Sequence, residues 1–518
     1  MTEIPKKTVL SDNTDPERRS STQIGRSKEI IHQYETNSQP KRDISGLSMV
    51  AIAFNICNSW VALATTLAIA IAAGGTFTTL YGIIIVSAVY ICVSLTLAEL
   101  ASVYPTGGGQ YHFTSILAPE RLSQILSYIC GLVATCSWMF LVAGVTILAT
   151  QLLLSLPAFY IDDFEPKNWQ SFLVFQGINI ALHIYNIFFL KKTLWIHEVG
   201  VGLSLIVFFT VSVTSLVRSD KASSSFVWEN FTNNMGWPDG VTFITGLATP
   251  ASMFLGLDGA IHLADEALHP QRAVPKALMF TSIIGFFTSF SFGIAMCYSI
   301  TDLDALINTT MPIYALWRQA TQNATAATVF LVCLFLIVLF TINAVMQTAS
   351  RMTWAFALDG ALIGSEHLAS IHPSLQVPVW SYILNAVVVC ILGCIYLGST
   401  IAFNAVMGSS IILQMISFSL PAVLLMLRGR SSDVLPPNRS FKLPNWLGWT
   451  ANAVVAIFSV VEIVFFVFPP TNPTSGSGMN YASVVLALTA LFAILNWFFY
   501  ARNHYQGVKI NSFEEPRG

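Results

Sequence analysis

Apolar stretches long enough to cross a bilayer recur along the chain at roughly 47–72, 79–103, 123–154, 170–190, 195–217, 241–267, 277–299, 325–350, 377–397, 401–427, 447–469 and 480–501. A spanning helix needs about 20 apolar residues. The pattern therefore predicts an all-α polytopic protein with twelve transmembrane helices over residues 45–501. The third stretch is long enough to tilt. The sixth is interrupted by Pro250, Gly256 and Gly259. Residues 1–44 are polar, rich in Ser, Thr and charge, and lack an apolar h-region, so they read as a disordered cytosolic tail and not a cleavable signal peptide. Residues 502–518 read as a second, shorter tail.

Composition agrees. The chain is 54% hydrophobic and 10% charged, with a mean hydropathy of +0.64; soluble domains carry about 25% charge. A net charge of -2 gives no sign of a nucleic-acid partner. All eight cysteines fall in apolar segments, which argues against a disulfide framework or a thiolate metal site. Cys390 and Cys394, one helical turn apart, read as helix packing.

Charge also predicts orientation. With both termini in the cytosol, only Lys167, Arg218, Lys221 and Arg318 of the 25 Lys and Arg fall in outer loops, the asymmetry expected of positive-inside topology. The sequons at Asn230, Asn308 and Asn323 fall in the same outer loops and are candidate glycosylation sites; Asn438 falls inside.

Few ionisable residues lie within the spans. The segment Gly256-Leu257-Asp258-Gly259 sets a carboxylate between two glycines at a helix interruption. A charge at membrane depth is costly, and the freed backbone needs polar partners. Asp258 either binds a substrate or coupling ion, or bonds to a neighbouring helix across a glycine kink. Phe254 stands one turn earlier, placed to close over a substrate. His262 and Glu266 follow Asp258 at four-residue spacing, yet no further ligands converge, so neither metal nor cofactor is expected.

The first span carries a matching polar cluster, Asn55, Asn58, Ser59, Thr65 and Thr66, around Trp60, Ala62 and Ala64. Paired interruptions at corresponding positions of two halves point to a binding site of an inverted-repeat protein. Trp60, Trp138 and Phe254 offer aromatic faces, which with a carboxylate suit a cationic amine, though each aromatic taken singly fits helix packing as well. Glu99, at the end of the second span, reads either as an inner-gate carboxylate or as an interfacial group bonded to loop backbone. His183 and Glu462 are isolated; His183 reads as a structural residue bonded to a neighbouring helix, and Glu462 as packed between helices or facing a partner subunit.

Four segments together carry a family resemblance: Asn58-Ser59-Trp60 with Ala73-Gly74-Gly75; Ala98-Glu99 through Tyr104-Pro105-Thr106-Gly107-Gly108-Gly109-Gln110-Tyr111; Phe254 through Asp265-Glu266 to Pro275; and Ala349-Ser350-Arg351 through Asp359-Gly360. The chain resembles the amino acid–polyamine–organocation superfamily, in the fungal branch that includes GABA and choline permeases, over roughly residues 42–505. The resemblance implies a five-plus-five inverted repeat with helices one and six broken, and alternating access. By position it implies a pocket lined by Ser59, Trp60, Ala62, Ala64, Thr65, Phe254, Gly256 and Asp258, with Glu99, Arg351 and Asp359 at the gate. The sequence departs from the family in three ways. Trp60-Val61-Ala62-Leu63-Ala64 replaces a Gly-x-Gly that binds substrate carboxylates. Leu358 and Ile363 replace an Arg and a Pro. The fifth span has no Lys. The expected activity is secondary transport of an amino acid or small amine in the plasma membrane, with a proton as possible coupling ion. Choline or GABA permease, metabolite exporter and non-transporting nutrient sensor are the alternatives, and the oligomeric state is open. No nucleophile–base constellation suggests an enzyme.

Overall fold

The computed structural model describes residues 42–161, 164–307, 309, 311–476 and 478–507. Asn308 and most of both predicted tails lie outside them. Extended pairing among the described residues is confined to two isolated bridges, Ile44 with Ala267 and Ala73 with Asn233. Among the described residues eleven helices are long and apolar enough to cross a membrane. The sixth span is absent from that set because it is a series of short pieces, Asp239–Gly246, Ala248–Ser252 and Gly259–His262, joined by turns. It completes the twelve that hydropathy predicts.

Packing between spans follows a rule of five. The second span, Gly75–Val103, lies along the seventh, Pro270–Tyr298; the third, Glu120–Ala158, along the eighth, Ala324–Leu358; and the fourth, Asn168–Phe188, along the ninth, Val379–Gly398. The first span also touches pieces of the sixth. Each of the first four spans thus meets the span five places on, the pairing that suits an inverted repeat, while the fifth packs on the first, seventh and eighth. The tenth span, Thr400–Leu427, packs on the third, the eleventh, Asn445–Phe465, on the tenth and second, and the twelfth on the tenth. Ile206, Phe209, Val213 and Val217 of the fifth span, Ile196–Arg218, are all more than half exposed, a stripe that suits lipid.

Local chemistry sets the helix ends. The Ser45 hydroxyl accepts from the Ser48 N–H at 3.1 Å and starts the first span. That span stops at Asn58, whose φ of 32° is left-handed. Asn is among the few residues other than Gly that adopt this conformation readily. Helix resumes at Ser59 and runs to Ala72.

The structure extends two elements beyond the hydropathy pattern. The eighth span continues through Leu358 and carries Arg351 within it; the apolar criterion ends that span early because it cannot follow a buried arginine. A wholly buried short helix, Gln110–Leu117, follows the glycine turn after the second span. It is too short to register as a span.

With an even number of spans the first and last described residues, Arg42 and Gly507, lie on one face, here called the terminal face; the opposite side is the far face.

Candidate functional site

The two interrupted spans meet. Ser59 Oγ donates to the Met253 carbonyl at 2.9 Å, and the Cys57 thiol points at the Leu255 carbonyl at 3.6 Å. In the first span the hydrogen-bond ladder restarts across the break: the Asn58 N–H returns to Phe54, and the Val61 and Ala62 N–H groups begin a new half on the Asn58 carbonyl. Breaking a helix leaves carbonyls at one new end and N–H groups at the other without their helical partners. The Gly46–Cys57 half therefore directs its negative end, and the Ser59–Ala72 half its positive end, at the same point.

The sixth span unwinds at Gly256, with φ of 79°. A Cβ there would stand 2.4 Å from Ile56 Cγ2, so both backbone conformation and packing require glycine. The Gly256 N–H is not left free: it donates to Gln414 Oε1 at 2.9 Å. The same side chain turns its Nε2 to Asp258 Oδ1 at 3.2 Å.

Asp258 is wholly buried. Its Oδ2 accepts from Gln110 Nε2 at 2.7 Å, lies 3.4 Å from Trp138 Nε1, and is 2.9 Å from His262 Nε2. The other ring nitrogen, His262 Nδ1, is 2.9 Å from the Gly107 carbonyl. A carbonyl only accepts, so Nδ1 carries a hydrogen. Nε2 then faces a carboxylate oxygen. Two bonds from one imidazole to two acceptors need one proton more than a neutral ring and a carboxylate hold together. His262 thus stands between two acceptors, the Asp258 carboxylate and the Gly107 carbonyl. Among the described residues no Lys or Arg pairs with either.

The other expected pocket residues divide. Ala62, Thr65 and Ser252 are partly exposed on the far-face side of the breaks, while Ala64 is buried. Trp60 is turned away: its Nε1 donates to Ser204 Oγ of the fifth span at 2.9 Å, and its ring packs on Phe208 and Phe292. Phe254 is also turned inward, stacked on Tyr90 of the second span at 5.1 Å. Gly285 of the seventh span makes room for it, since a Cβ there would meet Ser59 Oγ at 2.6 Å and Phe254 at 3.2 Å. The breaks thus bring Ser59, Gly256 and Asp258 together and direct the two aromatic rings into the helix packing.

On the terminal face a cluster of ion pairs surrounds the end of the sixth span. Glu266 ends the sixth span and binds Arg351 Nε at 2.8 Å and Lys191 Nζ at 2.7 Å. Its carbonyl accepts from the Asp43 and Ile44 N–H groups, both at 3.0 Å, and Lys191 also reaches Asp43 at 3.1 Å. Glu266 and Arg351 are 3% and 4% exposed, so this pairing is desolvated. Arg351 also bonds to Tyr382 and Ser350. Asp359 accepts from Tyr111 at 2.7 Å and pairs with His112 at 2.6 Å, which ties the eighth span to the 110–117 helix.

Glu99 lies apart from this cluster. It is clamped by Arg430 and Arg439 from the loop between spans ten and eleven, and accepts from the Leu443 N–H at 3.2 Å. Loop backbone and buried arginines thus bind Glu99 together. Of the sequon asparagines, Asn230 is half-buried, and Asn323 is exposed and caps the eighth span through the Ala326 N–H at 3.1 Å. His183 is buried with Nδ1 on its own helix, at the Asn179 carbonyl.

Gln414, Lys191, Arg430 and Arg439 had no place among the site residues expected from sequence, the three cations counting only toward orientation. Gln414 alone carries a local signal, as the amide in an otherwise apolar and hydroxyl-bearing stretch of the tenth span.

Comparison with known proteins fits this architecture. A family model described as amino acid permease matches residues 44–499. The choline transporter of Saccharomyces cerevisiae is 32% identical over 484 residues, covering 92% of this chain and 84% of the relative. The swainsonine transporter of Arthroderma benhamiae is 32% identical over 488 residues, covering 91% and 93%. The 7-keto 8-aminopelargonic acid transporter of Saccharomyces cerevisiae is 26% identical over 514 residues, covering 87% and 90%. Among solved structures, a manganese transporter of Eremococcus coleocola superposes with a TM-score of 0.53 at 14% identity, covering 87% of this chain and 92% of that one, a likeness of fold alone. Twelve spans in an inverted repeat, two broken helices meeting at a buried carboxylate, and these relatives make the protein a multi-pass secondary transporter of small molecules and not an enzyme: the chain belongs to the amino acid permease family.

Proposed function

We propose that the chain is a proton-coupled permease that carries a small amine or amino acid across the plasma membrane, with choline as the first compound to test. The observation that carries the reading is His262 held between two acceptors, Asp258 and the Gly107 carbonyl. That arrangement stores one proton at the junction of the two breaks. When the proton leaves, one of the two bonds is lost and the pair becomes a buried negative charge. A conformational change at the breaks and a change of protonation are then one event.

The substrate class follows from charge. No Lys or Arg stands at the breaks among the described residues, while the Gly46–Cys57 half directs its carbonyl end there. Both favour a positively charged nitrogen. The names of relatives point the same way, since one of them is a choline transporter. A free amino acid is a second reading, supported by the N–H end of the Ser59–Ala72 half, which suits a carboxylate.

Alternating access follows from the asymmetry of exposure. Ala62, Thr65 and Ser252 are reachable from the far face, whereas Ile44, Glu266 and Ala267 are buried on the terminal face. In this reading the structure is the outward-facing state, the terminal face is cytosolic, and Asn230 and Asn323 lie outside the cell. Arg351 with Glu266 forms the inner latch, and Glu99 and Asp359 brace the loops around it.

The test is uptake of radiolabelled choline and of individual amino acids into cells expressing the full chain, at two external pH values. Uptake of one of them above control cells, rising with external acidity and lost in Asp258→Asn at equal surface expression, supports the reading. Full uptake by Asp258→Asn overturns the role of the dyad.

A further inference from the structure

Glu462, in the eleventh span, is wholly buried, and neither of its carboxylate oxygens has a hydrogen-bond partner. Every other wholly buried carboxylate described above is bonded: Glu99 by two arginines, Asp258 by amides and His262. The hydroxyl of Tyr90, across on the second span, is likewise buried and unpartnered. The second and eleventh spans that carry them pack against each other. The Tyr90 ring is the one that stacks on Phe254 at the sixth-span break.

The surroundings offer Glu462 no counter-charge. The eleventh span packs on the tenth, the second and the Asp239–Gly246 piece of the sixth. The tenth has no ionisable residue between Thr400 and Leu427. The second presents Tyr81, Tyr90, Cys92 and Glu99, of which Glu99 is already taken by Arg430 and Arg439. The piece of the sixth contributes only Asp239, at its exposed start. On its own helix Glu462 is alone. An ionised carboxylate without donor or cation is expensive to bury, and such groups take a proton instead.

We propose that Glu462 is a second proton-binding site, set behind the break, with Tyr90 as the hydroxyl that receives its carboxylate when the proton leaves. The ligand is a proton, and the link to transport is mechanical. Movement of Phe254 with the sixth span shifts Tyr90, which then donates to Glu462 and stabilises the ionised form. The site deepens the proton-coupled reading above without using its dyad.

The test is infrared spectroscopy of the purified full chain in lipid nanodiscs, which needs no substrate. Wild type at neutral pH is expected to show a carboxylic-acid C=O band that downshifts in D2O and is missing from Glu462→Gln. A wild-type spectrum with no band that Glu462→Gln removes overturns the site. In Tyr90→Phe the band is expected to persist to higher pH, by about one pH unit, the tenfold in proton affinity that one hydrogen bond to a charged group carries. An unchanged titration midpoint in Tyr90→Phe overturns the part given to Tyr90. Glu462→Gln is the neutral isostere of the protonated acid and is expected to fold. Failure of choline uptake in cells would count against the substrate reading and leave these spectra to decide the proton site.

Discussion

Replacing Arg351 with alanine tests whether the pairing on the terminal face is a latch. Arg351 and Glu266 are almost fully buried, and their contact at 2.8 Å joins the eighth span to the end of the sixth. Removing one partner of a buried pair costs about 3–5 kcal/mol, because the other charge is left behind. Here Glu266 keeps Lys191 at 2.7 Å, and Lys191 is 15% exposed and shared with Asp43. That residual partner lowers the cost to about 2–3 kcal/mol. The loss falls on the closed state alone, since opening that face separates the pair. The ratio of open to closed molecules should then rise roughly 30- to 150-fold. Cys57 is a native reporter: it sits at the break, 6% exposed, at the end of the half-helix that this face must release. Its alkylation by a membrane-impermeant maleimide, applied from the terminal face and read by peptide mass spectrometry, should accelerate by that factor until the open state predominates. Labelling from the far face should slow or stay the same. Unchanged labelling from the terminal face, in a variant that melts as a folded protein, would refute the latch.

Three further variants test other contacts. Gly256→Ala forces a Cβ to 2.4 Å from Ile56 at a φ of 79°; left-handed strain and overpacking together cost about 2–5 kcal/mol, so its melting temperature in detergent should drop by several degrees, and an unshifted melt would contradict the packing. Ser59→Ala loses the bond to the Met253 carbonyl, worth about 0.6 kcal/mol on average within membranes; stability should hardly move while uptake kinetics change, and a large stability loss would mean the bond is chiefly structural. Arg430→Gln leaves Glu99 with Arg439 and one N–H and should destabilise by about 3 kcal/mol; adding Glu99→Gln should restore part of that, and strict additivity in the double-mutant cycle would show that the two groups do not interact.

Hydropathy found the spans because burial in lipid is a property of each segment alone. It found the sixth interruption because Pro and Gly punctuate that stretch. The first break was legible only by its polar residues, since Asn58 does by left-handed conformation what a glycine would announce. Aromatic direction was not legible at all. Trp60 and Phe254 stand beside the breaks, but once a helix unwinds its 3.6-residue period no longer says which way a side chain points, and both rings turned to other spans. Partnership was hidden for a different reason. Gln110 and Gln414 reach Asp258 from 148 and 156 residues away, and nothing local marks such a meeting. A polar residue in an apolar span must find a partner or change its charge, so the sequence marks which residues are committed to that choice and the fold reveals which of the two each makes. Glu99, Asp258 and Arg351 found partners. Glu462 did not, and in sequence it stood only as an isolated acid in an apolar span. That contrast is why its charge, and not its packing, is the quantity to measure.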